Sequence, residues 1–125
     1  MFKKSLAAAL LIVVIGAGSA GAAASPTARR SGHCDGLSTY TLVVTQHDAA
    51  TLQVRFVIAH STPGQTWQLF GSDNGVRIFA VNRVVSSLGK AAVVRYPRDL
   101  AGTDSIKATG FNPTTGEVCS ASLGF

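Results

Sequence analysis

A chain of 125 residues carrying 11 Lys and Arg against 6 Asp and Glu has room for one domain once any targeting segment is set aside. The bases are unevenly placed. Lys3 and Lys4 stand at the N-terminus and Arg29 and Arg30 in a Ser/Pro/Thr/Ala-rich stretch, so from Cys34 onward bases exceed acids by only one. A nucleic-acid binder concentrates Lys and Arg on the folded face that meets phosphate, so this distribution excludes nucleic acid as the expected partner.

In chain order, the first element is a leader. Lys3 and Lys4 form a positive region, Leu6 to Ile15 an uninterrupted apolar run, and Gly16 to Ala24 a small-residue run with Ala22 and Ala24 as an A-x-A pair before Ser25. This order predicts a cleavable secretory signal peptide over residues 1–24. A membrane helix needs roughly 20 consecutive apolar residues and the strongly hydrophobic part here is about half that, so no stable membrane insertion is expected after cleavage. Residues 25–33 read as a flexible basic tail and residues 34–125 as the folded domain, secreted and extracellular.

The two cysteines, Cys34 and Cys119, both fall in the exported part, where the environment favours oxidation. Two cysteines allow one intramolecular bridge, and this one closes almost the whole domain into a loop. The chain-entropy model assigns a loop of that length roughly 4 to 5 kcal/mol, a large share of a total stability of about 5 to 15 kcal/mol. C-x-x-C spacing is missing, which argues against a redox or metal-binding thiol pair.

From there the apolar residues alternate with period 2. Thr39 to Gln46 places Tyr40, Leu42 and Val44 on one face, and Thr51 to Ala59 places Leu52, Val54, Phe56 and Ile58 there, with His47 to Ala50 as the turn between them. After Ser61-Thr62-Pro63-Gly64, a third strand over Thr66 to Ser72 carries Trp67 and Leu69 inward. Asn74-Gly75 then marks a hairpin, because both central positions of a type I′ turn need positive φ. A fourth strand runs from Val76 to about Val85 and a fifth from Ala91 to Tyr96, stopped by Pro97. Asp104 to Asn112 is the sixth, with Ile106, Ala108 and Gly110 inward, and Glu117 to Phe125 the seventh, with Cys119, Ala121, Leu123 and Phe125 sharing the buried face.

Seven short strands at roughly ten-residue spacing, with no amphipathic helix, predict an all-β antiparallel sandwich of the immunoglobulin-like or fibronectin-like kind; a closed barrel is the alternative. The order Cys34, Trp67, Cys119 is similar to that of antibody domains. Two strands, however, separate Cys34 from Trp67, and Glu117 stands two positions before Cys119 where an antibody domain places a tyrosine. The bridge is therefore expected to tie the chain ahead of the first strand to the last strand.

The stretch Cys34 to Phe125 resembles a group of small secreted β-sandwich proteins of Gram-positive bacteria with one disulfide. The marks are the Trp-x-Leu strand (Trp67, Leu69) followed by an Asn-Gly hairpin (Asn74, Gly75), Gly102-x-Asp104-x-Ile106, and Gly116-Glu117-x-Cys119. These are turn and strand chemistry, and members of the group mostly lack an assigned function. The resemblance implies the sandwich and the disulfide and carries no activity.

Sites of chemistry are sparse. His33, His47 and His60 have none of the i, i+2 or i, i+4 spacings that put two ligands on one metal, and Asp73-Asn74-Gly75 is too short for a calcium loop. There is no G-x-S-x-G, and six acids spread among turns supply no obvious carboxylate pair for glycoside hydrolysis. No enzyme, metal or cofactor is expected. Registering the Asn74-Gly75 hairpin without a bulge sets Asp73 opposite Val76, Ser72 opposite Arg77, and Phe70 opposite Phe79. Trp67, Leu69, Ile78 and Ala80 then face the core, and Phe70, Asp73, Asn74, Arg77 and Phe79 form a candidate partner surface: an outward aromatic pair beside an arginine, suited to a protein contact or to stacking on a sugar. The competing readings are that a neighbouring strand or loop covers the aromatic pair, or that the register is shifted by one residue, which sends each side chain to the other face. The expected function is a secreted non-enzymatic binding or interaction module for an extracellular protein or glycan. The alternative is a small inhibitor of an extracellular hydrolase, presenting the loop Ser61 to Gln65 or Leu100 to Thr103. A wall-associated structural role is a third possibility, without covalent anchoring, since no sorting motif is present.

Overall fold

The computed structural model describes residues 26–125, and the expected leader, residues 1–24, lies outside them. Eight strands follow one another: β1 Thr27–His33, β2 Thr39–Gln46, β3 Leu52–Ala59, β4 Thr66–Asp73, β5 Val76–Val84, β6 Ala91–Arg95, β7 Ser105–Phe111 and β8 Val118–Gly124. They form two antiparallel four-stranded sheets, in the orders β1-β2-β3-β6 and β5-β4-β7-β8. No described residue is helical. The seven strands expected from sequence are β2 to β8, each within a residue or two of its expected bounds.

Lettered A to G, β2 to β8 place A, B and E in one sheet and D, C, F and G in the other. That is the constant-type immunoglobulin order with the fourth strand moved from the edge of the fifth to the edge of the third, the fibronectin-like form of the sandwich. Strand directions alternate, so two loop clusters result. One end carries the connections β1–β2, β3–β4, β5–β6 and β7–β8. The opposite end carries β2–β3, β4–β5 and β6–β7 with the close of β8.

The eighth strand corrects the expectation of a flexible tail at residues 25–33. Thr27–His33 pairs along its whole length with β2, from Thr27 opposite Thr45 to His33 opposite Thr39. It lacks an apolar alternation because an edge strand is held by its backbone ladder, and charges such as Arg29 and Arg30 guard such an edge against further pairing. Gly32 sits directly against the Tyr40 ring across the ladder, where a Cβ would lie 2.7 Å from the hydroxyl. Tyr40 thus covers the gap that the glycine leaves.

The core lies between the sheets. Leu42, Val44, Leu52, Val54, Phe56 and Ile58 come from the first sheet, and Trp67, Leu69, Ile106, Ala108, Cys119 and Leu123 from the second, all buried. Burying a large apolar side chain contributes about 1.5–3 kcal/mol, so the alternation of β2, β3, β4 and β7 is the main stabilising term. Gly110 leaves room for the Trp67 indole, whose Nε1 donates to Ser61 Oγ at 2.8 Å. The Cys34–Cys119 disulfide is present, linking the connection before β2 to β8 across the two sheets over 85 positions of sequence. The second sulfur is fully buried.

Strand β5 departs from the expected register. Asp73 pairs with Val76 and Ser72 with Arg77, but Gly71 then pairs with Phe79 and Phe70 with Ala80, because a bulge on β5 adds Ile78 without a partner. Every later side chain of β5 therefore points the other way. Phe79 is buried at 4% exposure and Phe70 stays outside at 37%; Ala80 is exposed. The physical reason is the size of the phenyl ring and the absence of a side chain at Gly71: a Cβ there would run into the Phe79 ring, which occupies that place.

The two rings should accordingly separate in a mutational test. Phe79→Ala is expected to lower unfolding free energy by about 3–5 kcal/mol, and Phe70→Ser by less than about 1 kcal/mol, in urea titrations of the oxidised domain. Equal losses, or the reverse order, would put the bulge elsewhere.

Candidate partner surface

The expected surface residues divide between three environments. Asn74 and Gly75 form the tight turn, with φ of 49° and 83°. Asn74 is bound into the fold on both sides: its N–H donates to Ser105 O at 2.9 Å, and its Oδ1 accepts from Ser105 N at 2.7 Å. Asp73 is buried at the end of β4, and Phe79 is in the core. Only Phe70 and Arg77 remain on the outer face, and there they meet, with the guanidinium carbon 5.5 Å from the ring centroid.

Around them the outer face of the β5-β4-β7-β8 sheet is ordered by the ladder. Phe70 is flanked by Ala80 and Thr109, and Thr109 by Ser120; Ser72 is flanked by Arg77 and Lys107, and Lys107 by Ser122. Phe111, also partly exposed, lies beside Gln68. Two shallow depressions cross this face, of about 330 Å³ over β4, β5 and β7 and about 340 Å³ over β7 and β8. They share Lys107 and Thr109; Arg77 stands in the first and Arg30, from the neighbouring edge strand β1, in the second. No acidic side chain lines either one. Sequence reasoning found Phe70 and Arg77 but missed Lys107, Arg30 and Phe111, which join them only through strand order, a property not readable from a hairpin alone.

A third depression, of about 430 Å³, lies at the end of the sandwich between the β1–β2, β3–β4 and β7–β8 connections. Its polar groups are engaged in bracing those loops. Glu117 Oε2 accepts from Ser38 N at 2.8 Å and Oε1 from Ser38 Oγ at 3.0 Å; Asp35 Oδ1 accepts from Val118 N at 2.7 Å. Ser61 Oγ is taken by Trp67, and His60 Nδ1 lies 3.0 Å from Thr39 Oγ1. Ser61 and His60, though adjacent in sequence, are bound to different partners, Trp67 and Thr39. Glu117, at the position where an antibody domain has its tyrosine, serves the loop that carries Cys34. Gly36 permits this, since a Cβ there would lie 2.7 Å from the Glu117 carboxyl.

Among the described residues no group of three or more His, Cys, Asp or Glu is arranged to hold a metal ion. His33 ends β1 opposite Thr39, and His47 rests 4.7 Å from the Tyr96 ring. Asp48 is held below the usual carboxylate range by the backbone N–H of Ala50, to which it is bound at 2.8 Å, and by Thr51, fixing the β2–β3 turn.

The fold and this geometry define a class: a single β-sandwich of fibronectin-like order, closed by one disulfide, with a cationic and hydroxyl-rich sheet face. Comparison with family models, with curated proteins and with solved structures gives no match.

If Glu117 acts as the brace of the Cys34 loop, Glu117→Ala should cost about 1–3 kcal/mol and speed amide exchange at Ser38, with Glu117→Gln in between. Unchanged exchange at Ser38 in Glu117→Ala would remove that role.

Proposed function

We propose that the chain is an exported, non-enzymatic binding module that uses the outer face of the β5-β4-β7-β8 sheet to hold an acidic polysaccharide. The leader pattern of residues 1–24 and the disulfide support export. The observation that carries the ligand class is the strip across the sheet: Arg30, Lys107 and Arg77 spaced along it, Ser and Thr hydroxyls between them, the Phe70 ring beside them, and no acid. Serine and threonine hydroxyls donate and accept, as sugar hydroxyls do, and a guanidinium binds a carboxylate or phosphate in a two-pronged way that a neutral sugar cannot exploit. Three cations, two on the sheet and one on the adjoining edge strand, suit a polymer whose carboxylates are set among many hydroxyls. A duplex nucleic acid, with one charge per about 1.7 Å of axis, calls for a denser array.

The second reading, a hydrolase inhibitor, has weaker support. The Ser61–Gln65 loop is folded back on the β5–β6 connection, Ser61 N donating to Gly89 O and Gly64 N to Val85 O, so it does not stand clear as an inserting loop would.

Affinity electrophoresis of the oxidised domain through polygalacturonate, with dextran as the neutral control, tests the reading. Retardation is expected in polygalacturonate alone, weakening as salt rises, and falling about tenfold in Arg77→Gln/Lys107→Gln, two contacts of roughly 0.5–1 kcal/mol each. Equal mobility in both gels, or a double variant that binds as the parent does, would contradict it.

A further inference from the structure

At the end of the sandwich away from the Cys34 loop, two carboxyl groups are buried in one corner, Asp73 lying opposite Ile106 in the β4–β7 ladder and Asp104 standing two residues before Ile106. Asp73, the last residue of β4, is 2% exposed, and Asp104, just before β7, is 1% exposed. Among the described residues, no donor reaches either Asp73 oxygen or Asp104 Oδ2, and Asp104 Oδ1 accepts from the Leu100 N–H at 3.3 Å. Buried polar atoms without partners are rare in folded proteins, and buried charges without partners rarer still. Three such oxygens in one corner require an explanation.

Among the described residues, no cation is among the groups that act on Asp73. On β5, paired with the end of β4, the one charge beside the turn is Arg77, which lies on the outer face over Phe70. On β7 the charge is Lys107, opposite Ser72 and likewise outside. The β6–β7 connection contributes Arg98, which is exposed and bridged to Thr51, and a third acid, Asp99, whose Oδ2 accepts from Gln46 Nε2 of β2 at 2.9 Å. The groups acting on Asp73 are thus Asp104 and Asp99, both acidic.

We propose that Asp73 and Asp104 share one proton in the folded domain, forming a carboxyl-to-carboxylate hydrogen bond, and that loss of this proton loosens the corner it closes. The transfer is simple: one proton is taken from water on folding and bridges the two groups, and it returns to water when they separate. With the proton in place, one Asp73 oxygen and Asp104 Oδ2 become a donor and its acceptor, so that two of the three orphaned oxygens are paired. Without it, two like charges face each other in a poorly solvated corner. The same corner anchors three pieces of chain: the β4–β5 turn through Asn74 and Ser105, the β6–β7 connection through Leu100 and Asp104, and the chain end through the reciprocal backbone bonds of Asp104 and Phe125, both 2.9 Å. The pair is therefore a pH-sensitive latch, shut in mildly acid surroundings.

The sign follows from linkage. Burial, first, and then the hydrogen bond and charge of Asp104 push Asp73 up from 3.8 to about 7. Between those values the folded domain holds a proton that the unfolded chain has released. The stabilisation is complete below about pH 4 and is lost as pH rises through about 7. Within that window the pair raises the unfolding equilibrium constant by up to about tenfold per pH unit.

The test is thermal unfolding of the oxidised domain and of Asp73→Asn between pH 5 and 8.5, together with carboxyl-carbon NMR of the unaltered domain. An asparagine amide donates to Asp104 without titrating. The parent should lose Tm toward pH 8.5 relative to Asp73→Asn, whose curve stays flatter and ends higher, and one aspartate resonance should titrate near pH 7. Amide exchange over 99–104 and at Phe125 should quicken at high pH in the parent alone. Parallel Tm curves, or six side-chain acids that all titrate below pH 5, would overturn the proposal. So would a rise in parent Tm on adding calcium at pH 8 that Asp73→Asn lacks, since a cation would then neutralise the pair in place of the proton.

Discussion

Strand β4 sits in the middle of its sheet, and the alternation of its side chains sets most of what surrounds it. One parity, Trp67, Leu69, Gly71 and Asp73, faces the opposing sheet; the other, Gln68, Phe70 and Ser72, faces outward. Because the period of a strand is two, neither set can change without the other. Trp67 and Leu69 supply the core, Gly71 receives the Phe79 ring, and Asp73 meets Asp104. On the reverse face, Ser72 lies between Arg77 and Lys107, and Arg77 lies over the Phe70 ring. The core, the outer strip and the acid corner are thus consequences of one strand's register.

The ends of the sandwich are closed by different means. At one, the Cys34–Cys119 bridge spans the two sheets, and Glu117 holds the adjacent loop through Ser38. Such a bridge acts chiefly by restricting the unfolded chain, which suits a domain of about 100 residues with a modest core. At the other, closure rests on hydrogen bonds of the Asn74 turn and the chain end, with two carboxyls at their centre. One end is thus fixed by a covalent bond, and the other, beside the β4–β5 hairpin that also carries Arg77, by polar contacts alone.

The alternating strands β2, β3, β4, β7 and β8 were legible in the sequence because each buries one face, and Asn74-Gly75 marked its turn by the φ values it demands. Edge strand β1 was not, since a strand held by its backbone needs no apolar pattern, and Thr27–His33 is polar. The bulge at Ile78 was missed for another reason: the turn fixed the first two pairs of the hairpin correctly, and only the empty place at Gly71 favours inserting a residue before Phe79. Lys107 and Arg30 required the order of strands across the sheet. The Asp73–Asp104 contact joins residues 31 positions apart whose spacing in sequence carries no signal.

The claim on which this account rests is the outward placement of Phe70 and the inward placement of Phe79. Hydroxyl-radical footprinting of the native oxidised domain reads it directly, ring by ring. Oxidation of Phe70 and Phe111, with Phe79 and Trp67 protected until the domain is unfolded, is the predicted result. Comparable native labelling of Phe79 and Phe70, or protection of Phe70 alone, would contradict the register of β4 and β5 and everything built on it.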